Sequence, residues 1–314
     1  MKTVVLGETG IEVSRLCFGT LTMGPLQRNM PLNRGVALLE LAFSFGLNFV
    51  DTAELYGTYP YIKEAIKLKN DLVVCTKSYS YDKKSAEDSF KAAVAGIGRD
   101  YIDIFLLHEQ ESEHTIRGHW EAVEYFLEKK RQGYIGAVGL STHYIAAIVG
   151  ALTKTELQIL FPLINKTGIG ISDGTSDEML EAIRRANRNG KGILAMKALG
   201  GGHLLHIKNE ALRFVMEESS IHSIAIGMQT AEEVRYNCAL FSDMIPSKEL
   251  EFALNSQPRK LMIHDWCEGC GACVKRCRNK ALSLEGGKAA VDSTLCVLCG
   301  YCASVCPQFC LKVI

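Results

Sequence analysis

Eight of the twelve cysteines in this 314-residue chain fall in two runs near the C-terminus. The runs are Cys267-x2-Cys270-x2-Cys273-x3-Cys277 and Cys296-x2-Cys299-x2-Cys302-x3-Cys306-Pro307. Thiolates at this spacing hold cubane iron–sulfur clusters: three from one run cap one cluster, and the fourth, carried onward by the local turn and helix, reaches the other. One [4Fe-4S] cluster is therefore expected on Cys267, Cys270, Cys273 and Cys306, and a second on Cys296, Cys299, Cys302 and Cys277. The runs also form an internal repeat. Laying Cys267 on Cys296 aligns all four cysteines and places Cys310 opposite Ala281, so Cys310 reads as a small packing residue rather than a ninth ligand.

Two other uses of the cysteines fit less well. Disulfide frameworks suit small secreted chains, and Met1 to Arg15 lacks the basic region and apolar core of a signal peptide. Structural zinc pairs two C-x2-C knuckles, whereas each run here supplies a third cysteine at x2 and a fourth at x3. Formal charge is zero and no block of like charges occurs, which removes the usual source of attraction to nucleic acid or anionic membrane. The most apolar stretch, Val36 to Val50, is broken by Glu40 and Asn48, so no membrane span is expected and a cytoplasmic protein is.

Elements that could position chemistry precede the cysteines. Between Leu16 and Asp243, β-branched runs alternate eight times with amphipathic segments of helical length. The strands read as Arg15–Thr20, Asn48–Ala53, Leu72–Lys77, Tyr101–His108, Ile135–Ser141, Leu157–Leu163, Gly192–Ala198 and Ser223–Met228. Gly46, Gly98, Gly133 and Gly190 read as helix ends, and Ser176 as a helix cap. No G-x-G-x-x-G follows the first strand, and eight βα units in this length point to a closed (β/α)8 TIM barrel. Thr3 to Ser14 reads as two short strands about a glycine turn that would plug the barrel bottom. The expected organisation is a barrel over residues 1–243, a connector over 244–263 and a small α+β iron–sulfur domain over 264–314.

Active sites of such barrels sit at the C-terminal ends of the strands, where Asp51, Lys77, His108, Ser141 and Lys197 fall. The segment Asn48-Phe49-Val50-Asp51-Thr52-Ala53-Glu54-Leu55-Tyr56-Gly57 resembles the aldo-keto reductases, and Lys77 and His108 complete that family's tetrad. Val138-Gly139-Leu140-Ser141 and Ala225-Ile226-Gly227-Met228 extend the similarity, which runs from about Lys2 to about Asp243. The cysteine tail resembles a branch of the family fused to a ferredoxin-like module. The resemblance implies that Tyr56 is the proton donor in hydride reduction of a carbonyl. The chemistry is sensible, because phenol, with a pKa of about 10, is a weak acid unaided. A lysine ammonium held by Asp51 would favour the phenolate, and His108 would bond the substrate oxygen or tune the tyrosine.

The resemblance further implies nicotinamide contacts from Gly19, Thr20, Ser141, Asn165, Gly227, Gln229 and Asn237. Thr142 stands where many members have asparagine, and Glu233 near the place where an arginine often grips the 2′-phosphate. A carboxylate repels a phosphate, which leaves NADP against NAD open. Gly200-Gly201-Gly202-His203 could approach a substrate or phosphate closely. The expected activity is NAD(P)H-dependent interconversion of a small-molecule carbonyl and alcohol. The clusters would serve electron relay, to a partner protein, or structure, since hydride moves two electrons and a cluster takes one. The alternative is an electron-transfer subunit or redox sensor with the barrel as a docking scaffold. An unligated iron for radical chemistry is not expected, because two full sets of four cysteines leave none.

Overall fold

The computed structural model describes residues 1–314. Eight parallel strands close into a barrel: β3 (Leu16–Gly19), β4 (Phe49–Asp51), β5 (Val73–Ser78), β6 (Ile102–Leu107), β7 (Ile135–Thr142), β8 (Ile159–Pro162), β9 (Gly192–Met196) and β10 (Ser223–Gly227), with β10 returning to β3. Around it lie α1 (Leu32–Ser44), α2 (Tyr59–Leu68), α3 (Lys83–Ile97), α4 (Glu113–Gly118), α5 (Trp120–Arg131), α6 (Ile145–Ala151), α7 (Ser176–Arg188), α8 (Lys208–Met216) and α9 (Ala231–Leu240). This is the expected (β/α)8 barrel. The bottom is plugged by the antiparallel pair β1 (Thr3–Val5) and β2 (Glu12–Ser14); Leu6, just past β1, and Val13 of β2 are buried with Cys17, Phe49, Ile104 and Leu194 inside the barrel. No helix is long and apolar enough to cross a membrane.

Strand alternation explains why polar groups gather at one end. Successive strand side chains point to opposite faces, so inward positions recur every second residue. Phe49 is followed by Asp51, Cys75 by Lys77 and Leu106 by His108, and the lower member of each pair lies in the inner apolar cluster. The upper members form a polar layer on that floor. Helix caps refine the sequence reading: α7 is capped by Thr175, whose hydroxyl accepts from the Glu178 N–H while the Glu178 carboxylate accepts from the Thr175 N–H. Ser176 is the first helical residue, and its hydroxyl donates to the Asn165 carbonyl.

Beyond the barrel come α10 (Lys248–Asn255), β11 (Leu261–Ile263), α11 (Ala272–Arg276), β12 (Leu282–Glu285), β13 (Lys288–Val291) and β14 (Leu311–Val313). The chain's last strand, β14, pairs antiparallel with β11, so the small sheet reaches back to Leu261, inside the expected connector. Its own core comprises six buried residues, two of them cysteines.

The module rests on the barrel mouth through the glycine loop after β9. Gly202 adopts φ +90, and a Cβ there would stand 2.1 Å from the Val313 carbonyl oxygen. His203 Nε2 donates to the Leu311 carbonyl at 2.9 Å. The glycine loop is thus the seat of β14, and its Gly201 and Gly202 also line the cavity at the barrel mouth. Gly202→Val should loosen that seat, and limited trypsinolysis checks it: cleavage at Lys248, Arg259 or Lys260 is expected to accelerate at least several-fold, with the barrel fragment persisting. Unchanged cleavage would mean the close approach is dispensable.

Candidate active site and cysteine cradles

Lys77 is the largest polar side chain sealed inside the barrel, at 0 % exposure. Its ammonium donates to Asp51 Oδ1 at 2.5 Å and to the Thr52 carbonyl at 2.8 Å. Removing one partner of such a buried pair costs about 3–5 kcal/mol, because the other charge is left uncompensated. Asp51 is fixed in turn by position: it ends β4, and the Thr20 hydroxyl donates to its carbonyl at 2.9 Å. Tyr56 closes a single 3-10 turn, Glu54–Tyr56, which Gly57 terminates at φ +64. That turn sets the phenol ring 4.9 Å from Lys77 Nζ and 5.8 Å, edge on, from the His108 ring. All four tetrad residues therefore meet.

Electrostatics define which groups titrate. Burial, reinforced by the Lys77 charge, drops His108 to about 3, and burial drops His143 to about 4. His108 Nδ1 is buried without a partner, while the ring stacks on Tyr79 at 4.5 Å. The Tyr79 hydroxyl donates to Glu109 at 2.5 Å. Burial raises the Tyr56 phenol above its ordinary value and outweighs the opposing pull of Lys77, so Tyr56 is neutral here. Desolvation, which no local pattern of residues displays, is the larger effect.

Asp51 and Tyr56 border a cavity of about 350 Å³ that runs past Gly19 and Gly227 to Gln229, Asn237, Glu233 and Arg259. Four of the seven expected cofactor residues, Gly19, Gly227, Gln229 and Asn237, line it. The other three are buried in supporting bonds. Thr20 bonds the Asp51 carbonyl and the Thr58 hydroxyl, Ser141 accepts the Glu109 N–H, and Asn165 spends its amide on Thr167 and Ile169. Thr142 donates to the Gln110 carbonyl at 2.6 Å. The far end of the cavity is tied by three bonds that sequence reasoning missed or misjudged. Arg28 Nε donates to Gln229 at 2.6 Å, and Glu233 takes both the Gln229 N–H and Arg259 Nη2, each at 2.7 Å. Arg259 lies far outside the barrel strands in sequence, so no local pattern marks it.

The cysteines ring two separate hollows. One is lined by Cys267, Cys270, Cys273 and Cys306, the other by Cys277, Cys296, Cys299 and Cys302. Backbone N–H groups point at cysteine sulfurs in both hollows: Ala289 to Cys267 at 3.4 Å, Ala281 to Cys277 at 3.3 Å and Cys310 to Cys306 at 3.4 Å. Such bonds stabilise thiolates and the anionic clusters they carry. Gly269 and Gly271 bend the first hollow at φ +65 and +74, and Gly300 the second at +80. Cys310 also lines the first hollow, buried, with its Sγ 3.4 Å from Cys306 Sγ.

A closed barrel whose mouth gathers aspartate, tyrosine, lysine and histidine beside an elongated cavity defines the oxidoreductase class of (β/α)8 proteins. Residues 15–237 match the aldo/keto reductase family, and the chain belongs to it. Residues 260–307 match the 4Fe-4S dicluster domain. The chain is similar to L-galactose dehydrogenase of Arabidopsis thaliana, with 21 % identity over 76 % of this chain and 88 % of that one. It is also similar to an NADH-specific methylglyoxal reductase of Escherichia coli K12, with 25 % identity over 76 % of this chain and 93 % of the relative. Among solved structures, an aldo-keto reductase of Bacillus halodurans, AKR11C1, superimposes with a TM-score of 0.62 at 19 % identity, covering 81 % and 95 % of the two chains.

The neutral histidines give a pH prediction. Proton donation by Tyr56 would need its phenol form, which is present below its pKa, and burial has raised that value. His108, lowered to about 3, does not change charge in the neutral range. The kcat/KM profile for carbonyl reduction should therefore show no inflection near the ordinary histidine value of about 6.5 and fall only on the alkaline side of about 10. An inflection near 6.5 that disappears in His108→Gln would show a titrating imidazole instead.

Proposed function

We propose that the protein is an NAD(P)H-dependent reductase that interconverts a small carbonyl compound and its alcohol, with Tyr56 donating the proton and two [4Fe-4S] clusters stapling the C-terminal module. The observation that carries the reading is the sealed Lys77–Asp51 pair beneath the Tyr56 ring, at the rim of the elongated cavity. A docking scaffold has no use for a buried ammonium at that place, and such a group is costly to keep. The nicotinamide, when bound, supplies the hydride. Tyr56 bonds the carbonyl oxygen and delivers its proton, Lys77 stabilises the phenolate left behind, and neutral His108 orients the oxygen from the other side.

Both dinucleotides suit the far end of the cavity. Glu233, whose charge would repel a 2′-phosphate, is held by Arg259 and by a backbone N–H. The Escherichia coli relative's name, an NADH-specific methylglyoxal reductase, supports a small carbonyl substrate.

The cluster assignment follows the two hollows: Cys267, Cys270, Cys273 and Cys306 around one, and Cys277, Cys296, Cys299 and Cys302 around the other. No three His, Cys, Asp or Glu side chains converge closely enough to chelate a single ion. A cubane, with an iron at each of four corners, spreads its thiolates wider than tetrahedral zinc does. A staple is needed because a unit of this size with six buried core residues has little else to hold it. A relay role rests on one observation, the exposure of Cys270 and Cys299, which leaves an edge of each hollow facing solvent.

Tyr56→Phe is the test. Anaerobically purified variant should retain about eight irons while NAD(P)H-linked carbonyl reduction falls by about two to four orders of magnitude. Retained turnover would remove Tyr56 as proton donor, and an iron content near zero in reconstituted wild type would remove the clusters.

A further inference from the structure

The reductase reading leaves two lysines at the barrel mouth without a task. Lys197 follows β9, and Lys312 lies in β14, so one comes from the barrel and the other from the module. Both border the cavity that holds Asp51 and Tyr56. Lys312 is only 4 % exposed, donates to the Phe309 carbonyl, and places its ammonium 3.0 Å from the centre of the Phe309 ring. Lys197 Nζ stands 5.9 Å from the same centre. Two ammonium groups thus flank one aromatic ring.

Neither is paired with a carboxylate. The well-shielded ion pairs are Lys77–Asp51, Arg99–Asp103 and Arg259–Glu233. Of the two acids at the mouth, Asp51 is engaged by Lys77, and Glu109 accepts the Tyr79 hydroxyl and faces His143 at 3.8 Å. His108 and His143 are neutral. Three lysines, Lys77, Lys197 and Lys312, therefore face two carboxylates, with Cys306 as a further negative neighbour of Lys312 alone. Burial lowers the pKa values of both Lys197 and Lys312, helped at Lys197 by the charge on Lys77 and at Lys312 by the charge on Lys197. Each amine is therefore drawn toward its neutral form, and an anion bound beside the two would restore and hold their charge.

The backbone is bent to make this arrangement. Lys197 at φ +63, Phe309 at +47 and Glu109 at +49 are all non-glycine residues in the left-handed region. Strain of this kind concentrates at ligand sites. Gly201, at φ +65, completes the approach: a Cβ there would lie 2.9 Å from Lys312 Cδ.

We infer that Lys197 and Lys312 form an anion subsite at the barrel mouth, built jointly by barrel and module, which takes the carboxylate or phosphate of the ligand lying beside Tyr56. The inference rests on the reductase reading for the identity of that ligand and on the charge arrangement alone for its anionic character. A carboxylate on the carbonyl substrate and the phosphates of the dinucleotide share the required chemistry. The first makes the enzyme selective for oxo acids; the second makes the module part of cofactor binding.

Calorimetry on the anaerobic full-length holoprotein tests it. The probes are phenylglyoxylate, its neutral methyl ester, inorganic pyrophosphate and NADP⁺; the variants are Lys197→Met, Lys312→Met and the charge-keeping Lys312→Arg. Iron content and melting temperature verify folding, and Lys197→Met, in the barrel, guards against a Lys312 variant that fails to seat the module. Wild type should bind the acid at least tenfold tighter than the ester. Both methionine variants should lose that preference with ester affinity unchanged, and Lys312→Arg should keep it. A tenfold loss of pyrophosphate and NADP⁺ affinity instead, in both methionine variants, would assign the subsite to the dinucleotide. Unchanged affinity for all four probes in the methionine variants would overturn the inference. Lysine-dependent anion binding with no turnover of either carbonyl probe would count against the reductase reading and leave the subsite standing.

Discussion

A charged lysine inside an apolar barrel is tolerable only if its charge is answered, and the contact between Lys77 and Asp51 is that answer. Much else follows from it. The two residues must end adjacent strands, which fixes β4 against β5 at the register Asp51–Cys75. The ammonium must also reach the Thr52 carbonyl, which holds the start of the loop that carries Tyr56. Because Tyr56 is shut in with this pair, burial keeps its phenol neutral, and the Lys77 ammonium lies 4.9 Å from the ring, where the proposed proton transfer would leave negative charge. His108 is kept neutral by burial first and by the same field second.

The C-terminal module is best understood as the missing wall of that site. Phe309 belongs to the inner apolar cluster of the barrel, together with Phe161, Leu163 and Met196, although it lies three residues beyond Cys306. Its ring meets His143 edge on at 6.0 Å. The cysteine hollow containing Cys306 is thereby linked by one short stretch of chain to the reacting centre. Holding that hollow in shape holds Phe309 and Lys312 in place, which is a physical reason to fuse an iron–sulfur staple to a barrel whose hydride chemistry requires no iron.

Much of this was legible in the residues. Strand alternation and helix punctuation yielded the barrel, strand-end positions marked Asp51, Lys77 and His108, and the family resemblance added Tyr56; the cysteine spacing split eight cysteines into two sets that line separate hollows, the first of which Cys310 joins. What stayed hidden depends on contacts distant in sequence. Lys312 sits in Leu311-Lys312-Val313, where a lone lysine reads as the solvent face of a strand; its counterpart in the internal repeat, Ser283, is indeed exposed. Lys312 is buried because β14 lies across the glycine loop, a docking that no local pattern encodes. Arg259 reads as a linker residue until its bond to Glu233 is seen. Thr20, Ser141 and Asn165 were expected at a ligand, and the structure shows their polar atoms engaged in bonds to backbone and neighbouring side chains.

The central claim is that the cavity beside Tyr56 binds nicotinamide and that the clusters stand outside the hydride path. Titrating anaerobic full-length protein with NADPH and then NADH, while following nicotinamide and cluster absorbance together, tests it most directly. The account predicts saturable nicotinamide binding at one per chain with cluster absorbance unchanged. Cluster bleaching in step with nicotinamide oxidation, or no nicotinamide binding at all, would contradict it.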